Sequence, residues 1–91
     1  SPVPGAWTEW EGETFKVLRT RIDAGAGRVG APGETVEAGP RLIVACGEGA
    51  VEVLEAQREG KRRMSAADLL RGSAPAVGDR LGGPAAATPD R

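Results

Sequence analysis

Thr14-Phe-Lys-Val-Leu-Arg-Thr-Arg-Ile22 is the stretch on which the fold turns. In a regular pleat successive side chains face opposite ways, so Phe15 and Val17 would share one face while Leu18, Thr20 and Ile22 share the other. One extra residue near Val17 and Leu18 removes the conflict. With a β-bulge there, Phe15, Val17, Leu18 and Ile22 all point inward and Lys16, Arg19 and Arg21 all point outward. The same slip recurs at Val51 to Ala56, where Val51 and Val53 are followed by Leu54 and Ala56 instead of by position 55. Bulges of this kind bend strands around small barrels.

The neighbouring segments are short and punctuated by turn formers. Ala6 to Glu11 reads as a strand carrying Trp7 and Trp10, and Gly12 turns the chain into the bulged strand. Residues 23–33 are too rich in glycine to pack and read as a mobile surface loop. Thr35 to Ala38 is a short strand, Gly39-Pro40 a turn, and Leu42 to Cys46 an apolar run buried on both faces. Gly47-Glu48-Gly49 then makes a tight hairpin into Val51 to Gln57. Met64 to Gly72 is the one helix: Ser65 caps the amide of Asp68, Asp68 reaches back, Met64 staples onto Leu69 and Gly72 closes the end. At about two turns it needs the burial of Leu69 and Leu70 to hold. Five short strands, six if residues near the end add one, predict an all-β barrel of the oligonucleotide-binding size class with one short helix; a β-sandwich is the alternative.

These elements divide the chain into a linker at residues 1–5, a domain at 6–81 and a disordered tail at 82–91. Alternating prolines hold Ser1 to Gly5 extended, as suits a segment arriving from an upstream domain. After Leu81 no large side chain remains to be buried. The 91 residues begin with Ser and read as a piece of a longer protein.

Composition narrows the chemistry. There is no His, Tyr or Asn, and there is a single Cys, so His-dependent triads, zinc sites of Cys and His, and disulfide frameworks are all excluded. Glu9, Glu11 and Glu13 read as a solvated strand face, and the Gly25 to Gly33 run lacks the spacing of a phosphate loop. Cys46, at the end of its apolar run, is expected to be buried and inert. Trp7 and Phe15 are expected in the core. No apolar run approaches a membrane span, and one Cys fits a cytoplasmic protein.

Twelve Lys and Arg against thirteen Asp and Glu give a net charge of −1, yet the cations are grouped. Residues 57–72 hold Arg58, Lys61, Arg62, Arg63 and Arg71 against Glu59 and Asp68. Residues 16–28 hold Lys16, Arg19, Arg21 and Arg28 against Asp23. If the barrel joins these stretches, a basic face forms, with Glu34, Glu37, Glu48, Glu52 and Glu55 expected on other surface. Such a face suits phosphate contacts; the alternative is a solvated charge run.

The stretch Gln57-Arg-Glu-Gly-Lys-Arg-Arg-Met-Ser-Ala-Ala-Asp-Leu-Leu-Arg-Gly72 resembles the signature segment in the C-terminal domain of methionyl-tRNA formyltransferases. Pro2-Val3-Pro4-Gly5-Ala6 is similar to that family's lead-in, Pro32 to Val36 to its Pro-Gly-x-Val strand, Leu42 to Gly49 to its strand and hairpin, and Gly78 to Leu81 to its closing segment. The pieces fall in the family's order and cover residues 2–81. The resemblance implies a small Greek-key barrel that follows a catalytic domain and helps hold initiator tRNA. It implies no catalytic residue and no cofactor here, the formyl donor 10-formyltetrahydrofolate belonging to the upstream domain. Lys61, Arg62 and Arg63 match its basic segment, with Lys16, Arg19, Arg21 and Arg58 as the further candidate tRNA contacts. Two alternatives stay open: the equivalent domain of a related formyltransferase with another substrate, and a non-catalytic docking module.

Overall fold

The computed structural model describes residues 6–23, 30–46 and 49–82. The expected linker at 1–5, residues 83–91 of the expected tail and the burial of Trp7 lie outside what is described. Among the described residues there are six strands and one helix. In chain order they are β1 (Ala6–Trp10), β2 (Glu13–Asp23), β3 (Thr35–Ala38), β4 (Leu42–Ala45), β5 (Ala50–Arg58), β6 (Arg63–Ser65) and α1 (Ala66–Arg71).

All the strand pairs are antiparallel, and the sheet runs β1-β2-β5-β4-β3, with β6 pairing β5 off that path. The meander β3-β4-β5 with β2 laid beside β5 is a Greek key. Glu11 and Gly12 both take positive φ, 54° and 79°, and so form the two-residue turn that best matches strand twist.

Both expected bulges are present, and they face each other. Val17 pairs with Ala56, Arg19 with Glu55 and Thr20 with Val53, so Leu18 on β2 and Leu54 on β5 are the residues passed over. Leu54 is also where β5 changes partner on its other edge. There β4 pairs along Ala50 to Val53, and β6 takes over along Glu55 to Gln57. A strand that bends at one point can thus serve two partners in succession, and the sheet curls there.

Curling leaves β3 and β1 as the two margins, and residues 78–82 stitch them together. On the β3 side Thr35 N donates to Asp79 O at 2.7 Å, Gly78 N to Thr35 O at 2.9 Å and Leu81 N to Gly33 O at 2.7 Å. On the β1 side Gly82 N donates to Glu9 O at 2.7 Å, and the indole Nε1 of Trp10 donates to Asp79 Oδ2 at 3.0 Å. The result is one small barrel, not the two packed sheets of a sandwich.

Inside lie Trp10, Phe15, Val17, Leu42, Val44, Val53, Ala56, Leu69 and Leu81. Trp10 meets Phe15 edge to face at 5.9 Å. Helix α1 closes the core with Leu69. Ser65 caps it as expected, its Oγ accepting from Asp68 N at 3.1 Å, and Gly72 N donates to Leu69 O at 3.0 Å. Met64 and Leu70 are half-buried against the same core. The carboxylate of Asp68 takes the guanidinium of Arg71 three residues on.

Four expectations are corrected. Ile22 is 83% exposed, not inward, because it pairs with Val51 at the far end of β2. Cys46 falls just outside β4 and is half-buried, not buried, with Sγ 3.7 Å from Val44 O. The sixth strand is Arg63–Ser65, ahead of the helix and not near the chain's end, so Met64, read as the first residue of the helix, lies in a strand and α1 begins at Ala66. Residues 30–33 belong to the packed structure: Gly33 is buried, and it donates to Ala45 O at 2.8 Å.

Candidate nucleic-acid interface

Strands β2, β5 and β6 lie side by side, so the topology does join the two cationic stretches. Outward-facing residues alternate with the core residues Phe15, Val17, Val53 and Ala56. Lys16 stands opposite Gln57, which stands opposite Arg63; Arg19 stands opposite Glu55; Arg21 stands opposite Glu52.

The expected segregation of the acidic residues is overturned by this register. Glu52 and Glu55 lie among the cations, because outward residues of β5 face outward residues of β2 and opposite charges pair across strands. Arg21 Nε donates to Glu52 Oε1 at 2.9 Å. Arg41 lies 4.0 Å from the same oxygen and 3.6 Å from Asp23 Oδ1. Glu55 holds Arg63 at 2.8 Å through Oε1 and Arg19 at 3.6 Å through Oε2. Glu37 also pairs with Arg41, at 3.7 Å, and Glu34 accepts from Ala31 N at 3.0 Å. Glu48 lies outside the described residues.

Arg58 points to the opposite face. It shares the inner register with Phe15, its guanidinium carbon sits 5.5 Å from the Trp10 ring centroid, and Nη2 reaches both oxygens of Glu13 at 3.1 Å. Cation–π attraction and a charge-assisted fork make it a lid on the barrel end. Glu13, read from the sequence as one of a solvated row, is thus an anchor.

Lys61 and Arg62 differ from the rest. Both are exposed, and their side chains have no ion-pair partner among the described residues. The turn that carries them is fixed on three sides. Glu59 N donates to Thr14 O at 3.0 Å while Glu59 Oε1 accepts from Thr14 N at 2.9 Å, Lys61 N donates to Arg58 O at 3.0 Å, and Gln57 Nε2 donates to Lys61 O at 2.8 Å. A fixed backbone presenting two solvated cations loses little backbone entropy when an anion docks.

A sequence profile described as formyl transferase, C-terminal domain, matches residues 1–74. The chain belongs to that family. Its relatives include a methionyl-tRNA formyltransferase of Paracoccus denitrificans, 57% identical over 81 residues, which are 89% of this chain and 25% of that protein. The methionyl-tRNA formyltransferase of Bradyrhizobium diazoefficiens is 49% identical over 76 residues, 79% of this chain and 23% of that protein. That of Chelativorans sp. is 47% identical over 85 residues, 89% of this chain and 26% of that protein. This formyl transferase C-terminal domain thus spans about a quarter of the length of the curated relatives it matches. The stretch Lys61-Arg62-Arg63 of this chain runs from the β5–β6 turn into β6, and α1 follows it. No helix among the described residues is long and apolar enough to cross a membrane.

Proposed function

We propose that this domain is the tRNA-holding part of a cytoplasmic methionyl-tRNA formyltransferase, orienting initiator tRNA for N-formylation by an upstream catalytic domain. The observation that carries the reading is the pair Lys61 and Arg62, exposed and without an ion-pair partner among the described residues, on a turn pinned by Thr14, Arg58 and Gln57. Lys16 and Arg63 lie nearest that turn on the outward face, and Arg19 and Arg21 follow along β2 toward its far end. Arg58 acts from within, holding the barrel end in shape. This reading assigns the formyl donor, 10-formyltetrahydrofolate, and the proton transfers to the catalytic domain, so that this domain alone is expected to transfer no formyl group; a core of apolar side chains supports it.

Phosphate contacts position a nucleic acid without reading its bases. An enzyme acting at one end of a folded RNA draws on such remote binding to orient the reacting group. The test is a titration of labelled initiator and elongator tRNA against the 91-residue chain and its Lys61→Ala/Arg62→Ala variant at several salt concentrations. Each phosphate contact contributes about 0.7–0.9 to the log-log salt slope, so the variant should lose roughly 1.4–1.8 units and weaken for both tRNAs alike. Unchanged affinity and slope in a folded variant would favour a docking module in which these cations are merely solvated.

A further inference from the structure

The outward face of β2, β5 and β6 carries three arginines within reach of its two central carboxylates, and Glu55 has an unusual share of them. Its two oxygens hold two different guanidinium groups, Arg63 from β6 at 2.8 Å and Arg19 from β2 at 3.6 Å. Glu55 therefore ties three adjacent strands together at the point where both bulges lie. The two arginine side chains are 62% and 65% exposed, while that of Glu55 is 28% exposed beneath them. A phosphate can reach both guanidinium groups from solvent, but it must then sit over a carboxylate.

We propose that Glu55 competes with RNA phosphate for Arg19 and Arg63 and so limits how tightly this surface binds. The inference rests on the RNA-binding reading above and adds a mechanism to it. Ion pairs between exposed side chains are weak, so a phosphate can displace them. Displacement leaves the carboxylate uncompensated close to the incoming anion, and like charges at that range repel. Binding at Lys61 and Arg62 meets no such competitor among the described residues. The face is thus graded: the turn engages first, and the Arg19–Glu55–Arg63 bridge resists extension of the contact across the sheet. A surface that must release its RNA after each round gains from such a restraint, since most affinity differences lie in the dissociation rate.

Glu55→Gln keeps the side-chain shape and removes the charge. With fluorescein-labelled initiator tRNA as probe, the variant should bind about three- to tenfold more tightly at low salt. Its log-log salt slope should steepen by about 1.4–1.8 units, the signature of two added phosphate contacts. Adding Arg19→Ala and Arg63→Ala in that background should return the slope to the starting value. Circular dichroism and a thermal melt establish that each variant is folded. A Glu55→Gln slope and affinity equal to those of the starting chain, while Lys61→Ala/Arg62→Ala still weakens binding, would overturn this proposal and leave the RNA reading intact. A gain that survives loss of both arginines would overturn it as well, by tracing the effect to net charge alone. If Lys61→Ala/Arg62→Ala has no effect, the RNA reading fails and takes this proposal with it.

Discussion

Trp10 and Asp79 are joined across the closure of the barrel: the indole N–H donates to Oδ2 at 3.0 Å, and the same oxygen accepts from Ala76 N at 3.0 Å. One carboxylate thereby organises the turn ahead of the closing segment and fastens that segment to β1.

This bond makes the closure sensitive to acid. The Ala76 amide, and then the indole, hold the Asp79 carboxyl below its usual range. A group whose pKa is lower folded than unfolded contributes stability above the unfolded value, about 3.9 for Asp, and loses it as pH falls through the folded value. The melting temperature of the chain should therefore drop on acidification below about pH 4 more steeply than that of Asp79→Asn, which has no proton to take up there. Parallel curves for the two proteins would show that this carboxylate is not linked to folding.

Leu69 and Ser65 support the same helix by different means, so their replacement separates packing from capping. Leu69→Ala should cost about 2–5 kcal/mol, since the side chain is 1% exposed and leaves a cavity in the core. Ser65→Ala should cost about 1 kcal/mol, the usual loss for an N-cap hydroxyl. Urea unfolding at equilibrium measures both, and the expected order is the point at issue.

Gly33 and Gly12 both have positive φ, at 87° and 79°, but only Gly33 is hemmed in. A Cβ there would drive into the carbonyl oxygen of Leu81, whereas at Gly12 nothing lies within 4 Å. Gly12→Ala should cost about 1–3 kcal/mol from backbone strain alone. Gly33→Ala should cost clearly more, because the atom that must yield is backbone in the closing segment. Comparable melting temperatures for the two variants would contradict the packing described for residues 30–33.

Partial burial pushes the Cys46 thiol pKa up. Since the thiolate is the reactive species, modification by a thiol reagent near neutral pH should be slower than for a cysteine in an unstructured peptide, and should accelerate as the pH is raised. The thiol is half-buried, so labelling should go to completion without denaturant. Stopped-flow labelling across a pH series measures the rate, and a rate equal to the peptide's at neutral pH would refute the shift.

The core-facing side of the fold was legible because side-chain alternation is a local property. The slips at Leu18 and Leu54 show as broken periods in the sequence and become opposed bulges in the sheet, and the Ser65 cap is written in adjacent residues. Partner choice is not local. Met64 and Ser65 read as the start of the helix, and Arg63–Ser65 becomes a strand because β5 offers it an edge. Ile22 fits an inward period, but the pleat alone does not say where the barrel ends. The candidate site was legible as a set of cations and illegible as a charge pattern. The position of Glu52 and Glu55 beside Arg21 and Arg19 depends on cross-strand register, which the bulges shift. That Lys61 and Arg62 have no ion-pair partner among the described residues likewise follows from what their neighbours hold. Of Arg58, the sequence shows the charge but not the Trp10 ring beneath it.

The stitch of residues 78–82 onto β1 has a consequence for how the chain acquires its shape during synthesis. Trp10 and Asp79 are 69 positions apart, whereas the β1–β2, β4–β5 and β5–β6 hairpins join neighbours. A ribosome delivers each hairpin as it emerges, but the margin of β1 waits for residues 78–82, which come out after all of them. Long-range closures of this kind are slow and leave edges exposed in the meantime. Nascent chains halted before Asp79 should thus carry paired strands and an unsealed seam, and protease resistance at β1 should arrive only once Gly82 has cleared the exit tunnel.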